Sequence, residues 1–116
     1  MREQIYHITT EEAWAEAQLT GEYRHASLDE EGFIHTAYPE QIVRVANTYY
    51  KGRDALLILC INRSQTNCKV VDEHANRFNA QFPHIYGTIP VSAVFEVVPF
   101  AHGEDGTFSL PSEIQE

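Results

Sequence analysis

Basic residues are scarce in this chain. Eight lysines and arginines stand against seventeen aspartates and glutamates, a net charge of −9 with the histidines neutral. The acid falls in short patches, Glu11-Glu12, Asp29-Glu30-Glu31, Asp72-Glu73 and Glu104-Asp105, and no cluster of Lys or Arg offsets them. Nucleic-acid binding draws on a basic stripe that releases counterions from phosphates, so no nucleic-acid partner is expected. The same repulsion disfavours anionic membranes. A phosphorylated small molecule stays open, because one or two well-placed donors suffice for it. Cysteine is scarce too, with two residues; with no secretory signal expected, no disulfide framework is expected either. Cys60, inside Leu56-Leu57-Ile58-Leu59-Cys60-Ile61, reads as a buried small hydrophobe, and Cys68 as nearer the surface. No apolar run is long enough to span a bilayer, and the cytoplasm is the expected location. There is no CxxC pair, HExxH helix, Gly-rich phosphate loop or GxSxG elbow. Ser27, Ser64, Ser92, Ser109 and Ser112 have no nucleophile context.

What is present fits one globular domain over residues 1–116. Apolar residues make up 43% and charged residues 22%, the usual mix of a folded chain. A chain of this length buries roughly two-thirds of its unfolded surface. Ile5 to Ile8 reads as a strand. Thr9-x-x-Glu12 fits a capping box opening a helix with Ala13, Trp14 and Ala17 on one side, stopped at Gly21. Tyr23 to Glu31 reads as irregular, and Phe33 to Thr36 as a second strand. A helix begins near Pro39, carries the stripe Ile42, Val45, Ala46 and Tyr49, and ends at Gly52. Ala55 to Ile61 is apolar throughout and predicts a central strand buried on both faces. Asn62 to Asn67 reads as a turn, Lys69 to Asp72 as a strand and Glu73 to Gln81 as a surface loop. Phe82 to Tyr86 reads as extended, and Val91 to Phe100 as the last strand before a loop-like tail. Strands outnumber helices, and the two helices fall in the first half. That order predicts an α+β fold with mostly antiparallel, strongly bent sheets.

The six histidines divide into two classes. His25, His74 and His102 have polar or small neighbours in expected loops and read as surface residues. His7, His35 and His84 each follow an apolar residue at i+2, in Ile5-x-His7, Phe33-x-His35 and Phe82-x-His84. Residues i and i+2 share a strand face, so each imidazole points the way its apolar partner points. One reading makes each an inward structural residue bonded to a carbonyl. The other brings them into one cleft whose apolar walls and few polar groups suit a small molecule. Tyr86 shares the face of His84. Arg53 is an anion anchor or only a complement to a helix dipole. Glu73 and Glu96 are the carboxylates nearest these strands, with Glu96 facing either solvent or the cleft. Three imidazoles could also hold a zinc ion with an open position, but their spacing matches no common zinc motif and no metal ligand is assigned.

Three segments, Ile5-Tyr6-His7-Ile8-Thr9, Gly32-Phe33-Ile34-His35-Thr36 and Phe82-Pro83-His84-Ile85-Tyr86-Gly87, resemble those of the bacterial family known as domain of unknown function 952. The resemblance extends to Gly52-Arg53-Asp54 and to Val94 through Phe100, nearly the whole chain. It implies a fold like that of the ADP-ribosylating toxins and transferases, two small bent sheets enclosing a cleft, and no assigned reaction. In transferases of that fold a first-strand histidine contacts the nicotinamide-side ribose, and His7 stands at the matching position. Ile8 replaces the glycine usual there, and Ala37 stands where serine is expected. Tyr86 and Glu96 are candidates for the stacking aromatic and the late-strand glutamate. The first reading is an enzyme or former enzyme that binds a nucleotide-like small molecule, with NAD as the substrate to consider. Its candidate catalytic residues are His7, to position the ribose, and His35 or His84, as acid or base; its candidate binding residues are Tyr86, Arg53, Glu73 and Glu96. The rival readings are a noncatalytic module for a metabolite or protein, and a metal-dependent hydrolase.

Overall fold

The computed structural model describes residues 2–115; Met1 and Glu116, the outermost residues of the expected domain, lie outside the described residues. In chain order the elements are β1 (Gln4–Thr10), α1 (Glu11–Thr20), β2 (Glu22–Tyr23), α2 (Ala26–Glu31), β3 (Ile34–His35) and α3 (Pro39–Tyr49). They continue with β4 (Leu56–Asn62), β5 (Val70–Ala75), β6 (Ala80–Ile85), β7 (Ile89–Pro90) and β8 (Val94–Phe100). The fold is α+β with antiparallel pairing. One sheet has the order β1-β4-β8, a second β3-β6-β5, and β2 pairs with β7.

The apolar run of β4 becomes the central strand of the first sheet, as its composition requires. Alternation sends Ile58 and Cys60 into one core with Tyr6, Ile8, Ile42, Val98 and Phe100. Leu59 and Ile61 enter a second core with Ile5, Tyr23, Ile34, Ile85 and Ile89. Strand β4 is therefore buried on both faces, and β1 serves both cores with alternate residues. Helix α3 lays Ile42 and Ala46 onto the first core. The two larger sheets meet where Tyr6 and Ala37 form an isolated antiparallel bridge.

Several boundaries differ from expectation, each for a local reason. Thr10, not Thr9, caps α1, its hydroxyl accepting from Ala13 N–H at 3.0 Å, while Thr9 turns inward to the Tyr23 hydroxyl. The stretch 23–31, read as irregular, contains α2, so the described residues hold three helices and not two. His25 Nδ1 caps α2 by accepting from Ser27 N–H at 3.0 Å, a residue type outside the usual capping set. Helix α3 ends at Tyr49, three residues before Gly52. The expected loop 73–81 is mostly strand: β5 runs on to Ala75, β6 begins at Ala80, and only 76–79 turn the chain, with Asn79 at φ 49°. Its polar, half-exposed strands hid the hairpin. The last strand begins at Val94 because residues 91–93 form a 3-10 turn.

Replacing Thr10 by Ala removes the α1 cap and is expected to cost about 1 kcal/mol, measured as a lower urea midpoint at unchanged slope. Ala at Thr9 leaves the cap in place and acts only through Tyr23.

Candidate functional site

The junction of the two sheets opens into a cleft of about 640 Å³, within the range of small-molecule sites. His7, His25, His35, His74 and His84 all line it, with Arg53, Arg77, Glu31, Tyr49 and Tyr50. The three histidines singled out by alternation thus meet in one cavity. Register does much of this. His35 and His84 are directly opposite across the β3–β6 ladder, and their ring centroids are 5.3 Å apart. Phe33 stacks on the His84 ring at 4.0 Å and 14° and meets His35 edge-on at 4.9 Å.

His7 is 4% exposed and both its nitrogens are committed. The His35 carbonyl, 2.5 Å from Nδ1, can only accept, so Nδ1 carries the proton. Nε2 therefore accepts from the Tyr23 hydroxyl at 2.8 Å, and that hydroxyl in turn accepts from Thr9 Oγ1 at 2.8 Å. Burial pushes His7 down to about 3 and Tyr23 up to about 12, so the chain stays neutral. His7 has no lone pair left for a metal or a proton. Among the described residues no three His, Cys, Asp or Glu side chains are grouped as a metal site.

His84 is built differently. Its Nδ1 donates to Glu73 Oε1 at 2.8 Å, and Tyr86 Oη donates to the same oxygen at 2.5 Å. Glu73 is the diagonal cross-strand neighbour of His84, since β5 pairs Val71 with His84 and Glu73 with Phe82. The bonds from Tyr86 and His84 hold the Glu73 carboxyl below its usual range, and the same bond raises the Tyr86 phenol. A carboxylate on Nδ1 fixes the tautomer with a lone pair on Nε2. Among the described residues His84 Nε2 has no partner, and it is not sealed from solvent, so it opens to the cleft. His35 Nε2 bonds Glu31 at 3.0 Å, leaving Nδ1 unpartnered among the described residues.

Of the other residues singled out, Arg53 lines the cleft, with its guanidinium 5.1 Å above the Tyr50 ring. Glu73 and Tyr86 stand behind His84 and do not line the cavity. Glu96 is exposed on β8, paired with Cys60, and is not part of the cleft. His102 bonds Asp54 at 2.8 Å outside the cleft. Two histidines read as surface residues belong to the cavity: His74, which is exposed, and His25, half-buried with its ring 5.3 Å from His7. Burial lowers His25. Arg77 carried no signal, because the hairpin that delivers it read as a loop; Tyr49 was read only as part of the stripe of α3, and Tyr50 was not singled out. A cluster of buried Arg63 and Tyr38 with half-buried Asp72 was also missed; Arg63 is 6% exposed and donates to Tyr38 Oη at 2.8 Å.

Fold and cavity together define a small α+β protein with a histidine-lined cleft at the meeting of two antiparallel sheets. The chain belongs to the family described as protein of unknown function (DUF952), whose model matches residues 8–97. It is similar to the crystal structure of protein CC0527 from Caulobacter crescentus, at 28% identity over 92% of this chain and 94% of that one, TM-score 0.84. A double mutant of CC0527 gives the same identity and coverage at TM-score 0.83. Its solution NMR structure gives 26% identity over 96% of each chain, TM-score 0.75. No curated protein matches. Among the described residues no helix is long and apolar enough to cross a membrane.

In the unfolded chain His7 takes up a proton near 6.5, but in the fold only near 3. The unfolded state therefore binds more protons in that window, and stability falls by ~1.4 kcal/mol per pH unit as pH drops through it. Above the window the contribution is constant. His7→Gln is expected to flatten this acid limb, read by urea unfolding at successive pH values. An unchanged slope refutes a neutral buried imidazole.

Proposed function

We propose that this chain binds a nucleotide-like small molecule, of the NAD or ADP-ribose type, in the histidine cleft and acts on its glycosidic bond by acid–base chemistry. The observation that carries this reading is His84, with Nδ1 held by Glu73 and Nε2 open to the cavity. A carboxylate behind an imidazole orients the ring and stabilises the imidazolium as it forms. In hydrolysis the base leaves with the bonding electrons, a cationic ribose develops, and water adds to its carbon as His84 Nε2 takes the water's proton. Glu31, a carboxylate in the cleft lining, supplies the negative charge that stabilises the cationic ribose. His35 is the second imidazole facing the ligand. Tyr86 acts through Glu73, and His7 holds the floor of the site. Two small antiparallel sheets meeting at a cleft, with a first-strand histidine at the junction, support a likeness to the ADP-ribosylation fold; the warrant is analogy.

A second reading, a noncatalytic binding module, is favoured by two observations. Ile8 is buried and lines the cleft where a glycine would leave room, and His7 has no free nitrogen for a ribose.

A ligand at a hundredfold excess over its Kd stabilises the fold by about 2.7 kcal/mol. NAD, ADP-ribose or nicotinamide is expected to raise the melting temperature, and His84→Ala to retain that shift while losing turnover by about 10²-fold or more. Glu73→Gln should lose turnover by a smaller factor. Absence of any melting shift removes the nucleotide reading. A shift without turnover in the parent protein leaves the binding module.

A further inference from the structure

We infer that the end of the cleft formed by Arg53 and Arg77 is a phosphate-binding subsite, which makes phosphorylated small molecules the ligand class. This deepens the reading above and rests on its choice of cleft. The chain has six arginines, and four have partners. Arg2 bonds Glu40, Arg24 bonds Asp29, Arg44 donates to the Phe78 carbonyl, and Arg63 donates to Tyr38 and Asp72. Among the described residues Arg53 and Arg77 have no side-chain hydrogen bond or ion pair, and these are the two arginines that line the cleft. In a chain with seventeen carboxylates, two guanidiniums left uncompensated in one cavity point to an external anion.

Their surroundings prepare them for it. Arg53 lies 5.1 Å over the Tyr50 ring and Arg77 5.2 Å over the Tyr49 ring. The tyrosines are consecutive where α3 ends, and the hairpin between β5 and β6 delivers Arg77. A cation over a ring face is held there without spending its N–H groups on hydrogen bonds, so the planar N–H fork remains available for phosphate oxygens. The lining charge supports the same ligand. The lining holds two arginines and one carboxylate, Glu31, and that carboxylate is bonded to His35. The cleft thus carries positive charge in a chain of net −9, a local reversal that concentrates anions. A phosphate on the arginines leaves the ligand's sugar or base to the histidines.

Calorimetric titration of the full chain with pyrophosphate, ADP-ribose and malonate, at fixed ionic strength, tests this. Pyrophosphate is expected to bind, to weaken about tenfold or more with each of Arg53→Gln and Arg77→Gln, and to bind unchanged to Arg24→Gln, the same change at an exposed arginine outside the cleft. Arg53 and Arg77 are both exposed, and melting curves check that the variants fold. Three results each overturn the subsite: no pyrophosphate binding by the parent protein, undiminished binding by the double arginine variant, or malonate binding as tightly as pyrophosphate. ADP-ribose held equally well by that double variant would keep the nucleotide cleft and remove the phosphate subsite. Pyrophosphate bound through the arginines with no nucleotide response would do the reverse.

Discussion

Two backbone hydrogen bonds hold the site together. Tyr6 N–H donates to the Ala37 carbonyl at 2.9 Å, and Ala37 N–H to the Tyr6 carbonyl at 2.8 Å. They join β1, at one edge of the first sheet, to the chain leaving β3, at one edge of the second. His7 adds a side-chain bond to the His35 carbonyl beside them. Each sheet has only three strands and needs its neighbour's cover. The junction fixes which residues of β1 face which core: Ile5 enters one and Tyr6 and Ile8 the other. A slip of one residue would exchange these sets and turn His7 away from Tyr23. The cleft begins where the sheets diverge, with Tyr6, His7, Ile8, Thr36 and Ala37 in its wall.

Within that cavity one residue type has several fates, decided by what each nitrogen meets. His7 meets a carbonyl and a hydroxyl in a dry setting, so desolvation dominates and the ring stays neutral. His25 spends Nδ1 on the first turn of α2. His35 and His84 each give one nitrogen to a glutamate and keep the other. A carboxylate partner orients a ring without removing it from chemistry, whereas two neutral partners in a sealed site do remove it. The line between histidines with both nitrogens committed and those with one left open therefore falls inside the cluster, not around it.

Much of this was legible in the sequence. Period-two alternation placed His7, His35 and His84 with apolar partners, and the unbroken run of β4 announced a strand with two covered faces. Pro39 and the stripe through Ile42 and Ala46 gave α3. What stayed hidden depended on partners distant in sequence. Glu73 became the partner of His84 only through the β5–β6 register, in strands too polar to announce themselves. His25 was hidden by an unusual cap, and Arg77 by the loop reading of its hairpin. The cavity itself has no sequence signature, because it is the space left where two sheets separate.

The Arg63 cluster behind β5 explains why that register holds. Arg63 donates to Tyr38 Oη at 2.8 Å, to the Val70 carbonyl at 3.3 Å and to Asp72 Oδ2 at 3.5 Å, and Tyr38 Oη donates to Asp72 Oδ1 at 2.5 Å. Among the described residues Arg63 Nε is buried without a partner, so the cluster is a poor source of stability. Its value lies in position. Tyr38 directly follows the Ala37 bridge and Asp72 directly precedes Glu73, so the cluster ties the sheet junction to β5. Consecutive strand residues point to opposite faces, so fixing Asp72 on Arg63 turns Glu73 toward His84. If β5 slipped by one residue, Arg63 would lose its carboxylate and His84 its orienting partner in the same movement. A half-satisfied buried arginine thus reads as a register pin for the Glu73–His84 pair, an arrangement in which specificity outweighs the cost of burying the charge.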